Sequence, residues 1–313
     1  MPIRDDYYST NGQKPTPPPA GALATACYTV PMTKLVFGTA GIPVSTHPQT
    51  TIDGIKRVAE LGLGAMEVEF VQGVYLDEEQ ARQVAGVARS LKVTLSVHAP
   101  YFINLNARET RKIRMGQSIL RRTAHIASAL DARSVVFHAG FYMGDAAEEA
   151  YQAVKRHLSE VLARLKTEGI DVTLRPEVSG RLSQFGSLEE ILRLCKELPG
   201  LQPAIDFAHW HARGGGFNSY AEFMTVLEQM RGELGDGALE DAHFHIAGIA
   251  YGHRGERKHL NLKDSDLKYG ELLKALADSR ASGLAICESP NREDDALLLK
   301  AGYLGLAAAA GAG

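Results

Sequence analysis

Short apolar runs alternate with longer amphipathic stretches along most of this chain. The runs are rich in valine, isoleucine, leucine and phenylalanine, which favour β-strands, and the stretches between them repeat apolar residues at helical spacing. This alternation predicts parallel strands that are joined by helices. The eight predicted strands are residues 34–38, 65–70, 93–98, 134–138, 171–177, 202–206, 242–246 and 283–288.

Eight strand–helix units predict an α/β fold, a (β/α)8 TIM barrel that forms a single domain over residues 32–307. The alternative is an open doubly wound sheet, but its GxGxxG phosphate loop is missing after the first predicted strand. The segment NGQKPTPPPAGA favours extended, solvated backbone, so we expect a disordered N-terminal tail at residues 1–31. We also expect a flexible C-terminal end at residues 308–313.

Two helices have clear signals in the sequence. Apolar residues between Val154 and Leu165 recur at offsets of 0, 4, 7, 8 and 11 and form one helical stripe, which Gly169 is suited to terminate. Ser187 and Glu190 form a capping-box pair at the start of SLEEILRLCKEL. Both signals place a helix between two predicted strands, as a barrel requires.

The composition argues against disulfide-rich, thiolate-zinc and membrane-spanning proteins. Three cysteines without a CxxC pair argue against a disulfide framework or a thiolate zinc site, so we expect a cytoplasmic protein. No apolar run approaches the roughly 20 residues of a membrane-spanning helix, and the N-terminus lacks a signal-peptide pattern. A formal net charge of -3 gives no general attraction to nucleic acid, although a local basic groove is compatible with it.

Histidines and carboxylates stand at the ends of the predicted strands. The carboxyl ends of barrel strands converge on one face, where such enzymes build their active sites. Histidine with carboxylate is a donor set that suits Zn²⁺ and also Mn²⁺. The candidate metal ligands are His98, His138, Glu177, Asp206, His209, His245 and Glu288, with His259 in the loop after the His245 strand.

Each of these residues also has a structural explanation. A single histidine at a strand end is more often a hydrogen-bonded core residue, and Glu177 shares a strand face with Arg175, which would allow a buried salt bridge. His243 shares a face with His245 but lies deeper, so we assign it to the barrel interior. The series as a whole is what predicts a metal site.

Several segments resemble the endonuclease IV family of apurinic/apyrimidinic endonucleases, within the xylose-isomerase-like barrels. HAPYFINLNA at 98–107 is similar to that family's HxxYLINL segment, and FHAG at 137–140 is similar to FHPG. IDFAHWHARGGG and CES are similar to the family's IDTCHAFAAG and LET. GIAYGHRGERKHLNL resembles a divergent, archaeal-type branch.

The resemblance implies a metal-dependent phosphodiesterase of DNA base excision repair. It would cut damaged double-stranded DNA 5′ to an abasic site with two or three Zn²⁺ ions, and Glu177 would orient the nucleophile as the catalytic residue. By the same resemblance Glu177 would bridge two ions. The first ion would be held by His98 and His138, the second by Asp206, His245 and Glu288, and the third by His209 and His259.

DNA contacts are also implied. Tyr101 and Phe102 match a pair that would press into damaged duplex, although both could instead cap the barrel rim. Two basic clusters could contact the phosphate backbone, with Arg108 and Arg111 in one and Arg254 and Arg257 in the other. We expect a monomer without a membrane partner, and no protein partner can be inferred from the sequence.

One motif departs from the family. Its third-metal motif is Asp-x-His, whereas this chain has Arg257 two residues before His259 and Glu256 three residues before it. Either Glu256 is the missing ligand through a shifted loop, or the enzyme works with two ions. Gln72 also stands where a basic DNA-probing residue is expected.

Two other functions remain open. Sugar isomerases and epimerases of the same superfamily hold one metal, which here would use Glu177, Asp206, His245 and Glu288. The additional histidines at 98, 138 and 259 argue for more than one ion. A non-catalytic, metal-binding sensor of DNA damage is the third function, because a fold alone does not determine function.

Overall fold

A computed structural model describes residues 34–311 of the protein. Within them lie ten strands and ten α-helices. The strands are β1 (Leu35–Ala40), β2 (Ala65–Glu69), β3 (Thr94–His98), β4 (Ser134–Phe137), β5 (Thr173–Pro176), β6 (Ile205–Asp206), β7 (Ala242–Ile246), β8 (Gly248–Gly252), β9 (Gly255–Leu260) and β10 (Gly283–Cys287). The helices are α1 (Thr51–Glu60), α2 (Glu78–Leu91), α3 (Thr110–Ala129), α4 (Ala147–Thr167), α5 (Leu188–Glu197), α6 (Phe207–Arg213), α7 (Tyr220–Leu234), α8 (Gly237–Glu240), α9 (Tyr269–Asp278) and α10 (Glu293–Gly311).

Eight parallel strands form a closed ring in the described part of the chain. The sheet order is β5-β4-β3-β2-β1-β10-β7-β6, and all neighbouring strands pair in parallel. The two end strands meet through parallel bridges, Leu174 with Leu201 and Glu177 with Ala204, and the Val178 N–H donates to the Ala204 carbonyl at 3.1 Å. The fold is therefore the predicted TIM barrel.

The two helices predicted from sequence signals are present as α4 and α5. Val154 and Leu165 lie in α4 on a buried face, and Gly169 adopts a left-handed φ of 71° just after the helix. At the start of α5, Ser187 Oγ accepts from the Glu190 N–H at 3.3 Å, and the Glu190 carboxylate accepts from the Ser187 N–H at 2.9 Å. This reciprocal pair satisfies two backbone donors at the helix start.

A hairpin that the sequence did not predict lies between β7 and α9. Strands β8 and β9 pair antiparallel, so His259 lies on a strand and the loop expected there was wrong. The hairpin docks on the segment after β5, where the Glu256 N–H donates to the Gly180 carbonyl at 3.0 Å and the Leu182 N–H donates to the Arg254 carbonyl at 3.2 Å. This docking holds β9 over the carboxyl end of the barrel.

The chain ends lie partly outside the described residues. The predicted N-terminal tail at 1–31 falls outside them entirely, as do residues 312–313. Residues 308–311, which belong to the segment predicted as a flexible end, are part of α10. Across 34–311, the helices are too short or too polar to cross a membrane.

Candidate metal centre

The predicted ligands converge at the carboxyl end of the barrel. His98 is the last residue of β3, Asp206 is the last of β6, and His245 is the last but one of β7. The residues directly after β4, β5 and β10 are His138, Glu177 and Glu288. They surround the base of a cavity of about 950 Å³, and Asp206 and His245 are fully buried beneath it.

A helix cap sets the position of His209. The Asp206 carboxylate is the N-cap of α6 and accepts from the His209 N–H at 2.7 Å. This contact turns the chain sharply at the strand end and brings the two side chains to one side, with His209 Nδ1 3.2 Å from Asp206 Oδ2. The three-residue spacing read in the sequence is therefore the geometry of a capped helix start.

Glu177 lies at the centre of the cluster and is 1% exposed. Its Oε2 is 3.2 Å from Nε2 of both His98 and His138. Its Oε1 is 2.9 Å from Nδ1 of His245 and 3.5 Å from Nδ1 of His209. One carboxylate thus faces histidines on two sides, which is the geometry of a ligand shared between two cations.

Five groups of donor atoms in the described residues have every atom within 4.8 Å of the others, and the predicted ligands form three of them. Neighbours among these three share a carboxylate, Glu177 in one case and Asp206 in the other. The three groups are His98 with His138 and Glu177; Glu177 with Asp206, His245 and Glu288; and Asp206 with His209 and His259. The first two groups contain the residues that the family resemblance implies for two ions, the third adds Asp206 to His209 and His259, and the ligand roles stay predictions.

Buried charge in the second group fits a divalent cation. Asp206 Oδ2 is buried and makes no hydrogen bond within the described part of the chain. Burial raises the pKa of Asp206 and of Glu288, because a carboxylate removed from water is stable only beside a cation. Zn²⁺ or Mn²⁺ bound by these carboxylates and His245 would satisfy both groups.

One histidine in each of the other two groups, His98 and His209, is oriented by its second ring nitrogen. Nδ1 of His98 bonds the Ala99 carbonyl at 2.9 Å, and Nδ1 of His209 bonds the Val178 carbonyl at 3.1 Å. A carbonyl can only accept, so in both rings Nδ1 carries the proton and Nε2 offers its lone pair to the cluster. Such bonds are typical of metal-ligating histidines.

A β-bulge decides which side chain of the hairpin enters the cluster. Ala250 pairs with Lys258 but Tyr251 pairs with Glu256, so Arg257 is an extra residue on β9. The bulge moves Glu256 onto the His259 face and leaves Arg257 exposed. Glu256 Oε2 is then 3.6 Å from His209 Nε2. Glu256 thus lies beside the group of Asp206, His209 and His259 without belonging to it, and its role as an oxygen donor stays a prediction.

Two glutamates of β2 near the predicted ligands were not predicted. Glu67 is fully buried, with Oε1 2.9 Å from His245 Nε2. Glu69 lines the cavity, its Oε1 makes no hydrogen bond to a described residue, and burial raises its pKa to about 8. The signal was available, because acidic residues at alternate positions of an apolar strand both face the barrel interior.

The salt bridge considered for Glu177 does not form. Arg175 instead pairs with Asp241 at 2.9 Å and donates to the Pro203 carbonyl at 3.1 Å. His243 lies in the barrel interior as predicted, with Nε2 3.2 Å from the Glu67 carboxylate. The charged partners of Glu177 are therefore the surrounding histidines and not Arg175.

The predicted DNA-contacting residues lie around the cavity and on the hairpin. Tyr101 and Phe102, in the loop after β3, are 56% and 54% exposed, so they project from the rim rather than packing beneath it. Arg108 is already paired with Asp145 at 2.6 Å. The other three arginines predicted to contact DNA are exposed. They are Arg111 on α3, Arg254 in the hairpin turn and Arg257 on β9. Two further arginines that line the cavity, Arg181 and Arg292, were not predicted.

Comparisons with known proteins agree on the architecture. The family model described as "Xylose isomerase-like TIM barrel" matches residues 55–307. An uncharacterised protein of the archaeon Methanocaldococcus jannaschii is 42% identical over 86% of this chain and 97% of its own length. A probable endonuclease 4 of Mycoplasma pneumoniae is 24% identical over 64% of this chain and 69% of its own length.

Solved structures of two kinds share the fold. A D-tagatose 3-epimerase-like protein has a TM-score of 0.69 at 19% identity and covers 88% of this chain and 98% of its own. Endonuclease IV from Thermus thermophilus has a TM-score of 0.67 at 19% identity and covers 86% of this chain and 98% of its own. At this identity the likeness concerns the fold alone and does not separate the two activities.

Proposed function

This chain belongs to the xylose isomerase-like TIM barrel family, and on that premise we propose that it is a metal-dependent endonuclease that cuts DNA 5′ to an abasic site. The observation that carries the proposal is the convergence of His98, His138 and His259 with the four-residue set around Glu177. A single ion needs only that set. The added histidines extend it into ligand groups for neighbouring ions, which suits a phosphodiester.

The chemistry of the substrate explains why several ions would help. A phosphodiester carries a negative charge that repels an attacking hydroxide, and its sugar oxygen is a poor leaving group. Divalent ions supply the activation of water and the neutralisation of phosphoryl charge. The protein fixes the spacing of the ligand groups through the shared Glu177 and Asp206, and their burial strengthens every charge interaction.

The cavity rim suits a damaged duplex. Exposed Tyr101 and Phe102 form an apolar edge beside the ligand groups, and Arg181 and Arg292 bring positive charge to the cavity wall. Local positive charge can bind phosphates although the whole chain carries -3. An apolar wedge enters DNA most easily where a base is missing, because less stacking is lost there.

A single-metal sugar epimerase is the second candidate. Its support is the buried group of Glu177, Asp206, His245 and Glu288 together with the likeness to an epimerase structure. The two functions differ in the number of ions and in the substrate, so one set of measurements separates them.

The first prediction concerns metal content and activity together. Purified protein is expected to hold two or three ions per chain and to nick a duplex with one stable abasic analogue, and a chelator should remove both properties. Elemental analysis and a gel-based incision assay measure them. One ion per chain, no nicking and epimerisation of a ketose would establish the sugar enzyme instead.

A second prediction concerns the rim. Replacing both Tyr101 and Phe102 with alanine should raise KM for the abasic duplex by about 10- to 100-fold, since contact between one base and an aromatic ring is worth about 1–3 kcal/mol. Steady-state kinetics on double- and single-stranded abasic substrates measure the change, which should be smaller without a duplex to distort.

The matched control for the rim is Leu304→Ala, which removes a similarly exposed apolar side chain from α10. It should leave KM unchanged. Equal KM values for the double variant and the unmodified protein would show that both aromatic residues are only part of the barrel rim.

A further inference from the structure

Glu67 contacts the predicted ligand His245 at the ring nitrogen that does not face Glu177. Both Glu67 and His245 are 0% exposed, and Oε1 of Glu67 is 2.9 Å from His245 Nε2. The other nitrogen of the ring, Nδ1, is 2.9 Å from Glu177 and 3.3 Å from Glu288. The His245 ring therefore lies between the ligand group on its Nδ1 side and the Glu67 carboxylate on its Nε2 side.

Two arrangements could explain this contact. Glu67, His243 and His245 lie close enough to hold an ion of their own on His245 Nε2. A neutral imidazole has one lone pair, so an ion on Nε2 would leave Nδ1 protonated and useless to the group around Glu177, unless the ring lost both protons. A proton on Nε2, donated to Glu67, leaves Nδ1 free for that group.

We propose that Glu67 is a positioning residue: it accepts the Nε2 proton of His245 and so fixes the ring with Nδ1 as the ligand atom. The inference rests on the proposed metal centre but not on DNA as its substrate. Carbonyl groups hold the second nitrogens of His98 and His209 in the same way. Glu67 is the charged counterpart, and a charged acceptor also raises the basicity of the ligand nitrogen.

The carboxylate of Glu67 is itself held in place. Its Oε2 accepts from Ser96 Oγ at 2.7 Å and lies 3.2 Å from His243 Nε2. Nδ1 of His243 lies 3.2 Å from Ser134 Oγ, so the support continues to β4. Because Oε2 is engaged, Glu67 keeps one orientation, and its Oε1, which makes no hydrogen bond within the described residues, is the acceptor that remains for His245 Nε2 at 2.9 Å.

The expected effect of Glu67→Gln is a loss of Zn²⁺ affinity of about 10- to 100-fold at one site, the range typical of such outer partners. Zinc titration in competition with a chromophoric chelator measures it. The variant is nearly isosteric, and circular dichroism and thermal unfolding of the metal-free protein establish that it folds.

Glu293→Gln is the matched control, since it makes the same change at another buried glutamate, whose carboxylate accepts from the Val44 and Ser45 N–H groups at 2.7 Å. Zn²⁺ affinity should stay within about threefold of the unmodified protein. An equal loss in both variants would overturn the proposal, because the loss of any buried carboxylate would then explain the effect.

Nuclear magnetic resonance of the unmodified protein loaded with Zn²⁺ tests the same inference without a variant. Long-range ¹H–¹⁵N correlations of His245 should show a protonated Nε2 and a metal-bound Nδ1. Metal on Nε2 would overturn the assignment in favour of an ion held by Glu67 and His243. A protein that binds Zn²⁺ as described but leaves abasic DNA intact would refute the proposed activity and leave this inference standing.

Discussion

Glu177→Gln should lower the rate of incision at an abasic site by about 10³-fold or more. Its carboxylate faces His98 and His138 on one side and His245 on the other, so glutamine weakens two ligand groups at once. Stabilisation by a bound ion is worth several kcal/mol in the transition state, and about 4 kcal/mol corresponds to a factor of 10³. Single-turnover kinetics on an abasic duplex measure the rate.

Two other variants serve as comparisons for Glu177→Gln. Glu189→Gln makes the same change on the exposed face of α5 and should leave the rate unchanged. His138→Ala removes a ligand from one group only, so it should lose one ion, whereas Glu177→Gln should lose more than one. If the Glu177→Gln protein kept its full metal content and the incision rate of the unmodified protein, Glu177 would not be a catalytic residue.

Much of the fold and of the metal centre could be predicted because the signals are local. Alternating strand and helix patterns give the barrel, and a barrel brings strand ends together whatever the sequence between them. His98, His138 and Glu288 could therefore be grouped from their positions alone, without any knowledge of distances.

The remainder depends on contacts that no local pattern encodes. The sequence leaves open a salt bridge between Arg175 and Glu177, but Arg175 bonds Asp241, which precedes β7. Glu67 became a site residue only because β2 and β7 face each other across the barrel, with β1 and β10 between them in the sheet. The bulge at Arg257 arises from the pairing of two strands, so the sequence of β9 alone does not predict it.

Gly255→Ala should detach the hairpin from the barrel and remove the third ligand group. Gly255 has a φ of 86°, and a Cβ there would lie 2.1 Å from the Gly180 carbonyl oxygen, which is backbone and cannot move aside. We expect a loss of about 1–3 kcal/mol in unfolding free energy from the strained backbone, with further loss from the clash. Displacing β9 also displaces Glu256 and His259, so one ion fewer and incision about 100-fold slower are expected, as for a loss of about 3 kcal/mol.

Gly235→Ala separates backbone strain from displacement of the hairpin. Gly235 has a φ of 83° at the end of α7, and a Cβ there would meet nothing within 4 Å. It should cost a similar strain energy in thermal unfolding while metal content and incision stay unchanged. Because the two variants share the strain and differ in the clash, a Gly255→Ala protein that keeps every ion would show that β9 does not hold the third group. An ion lost without slower incision would instead make that group structural and leave the chemistry to the ions around Glu177.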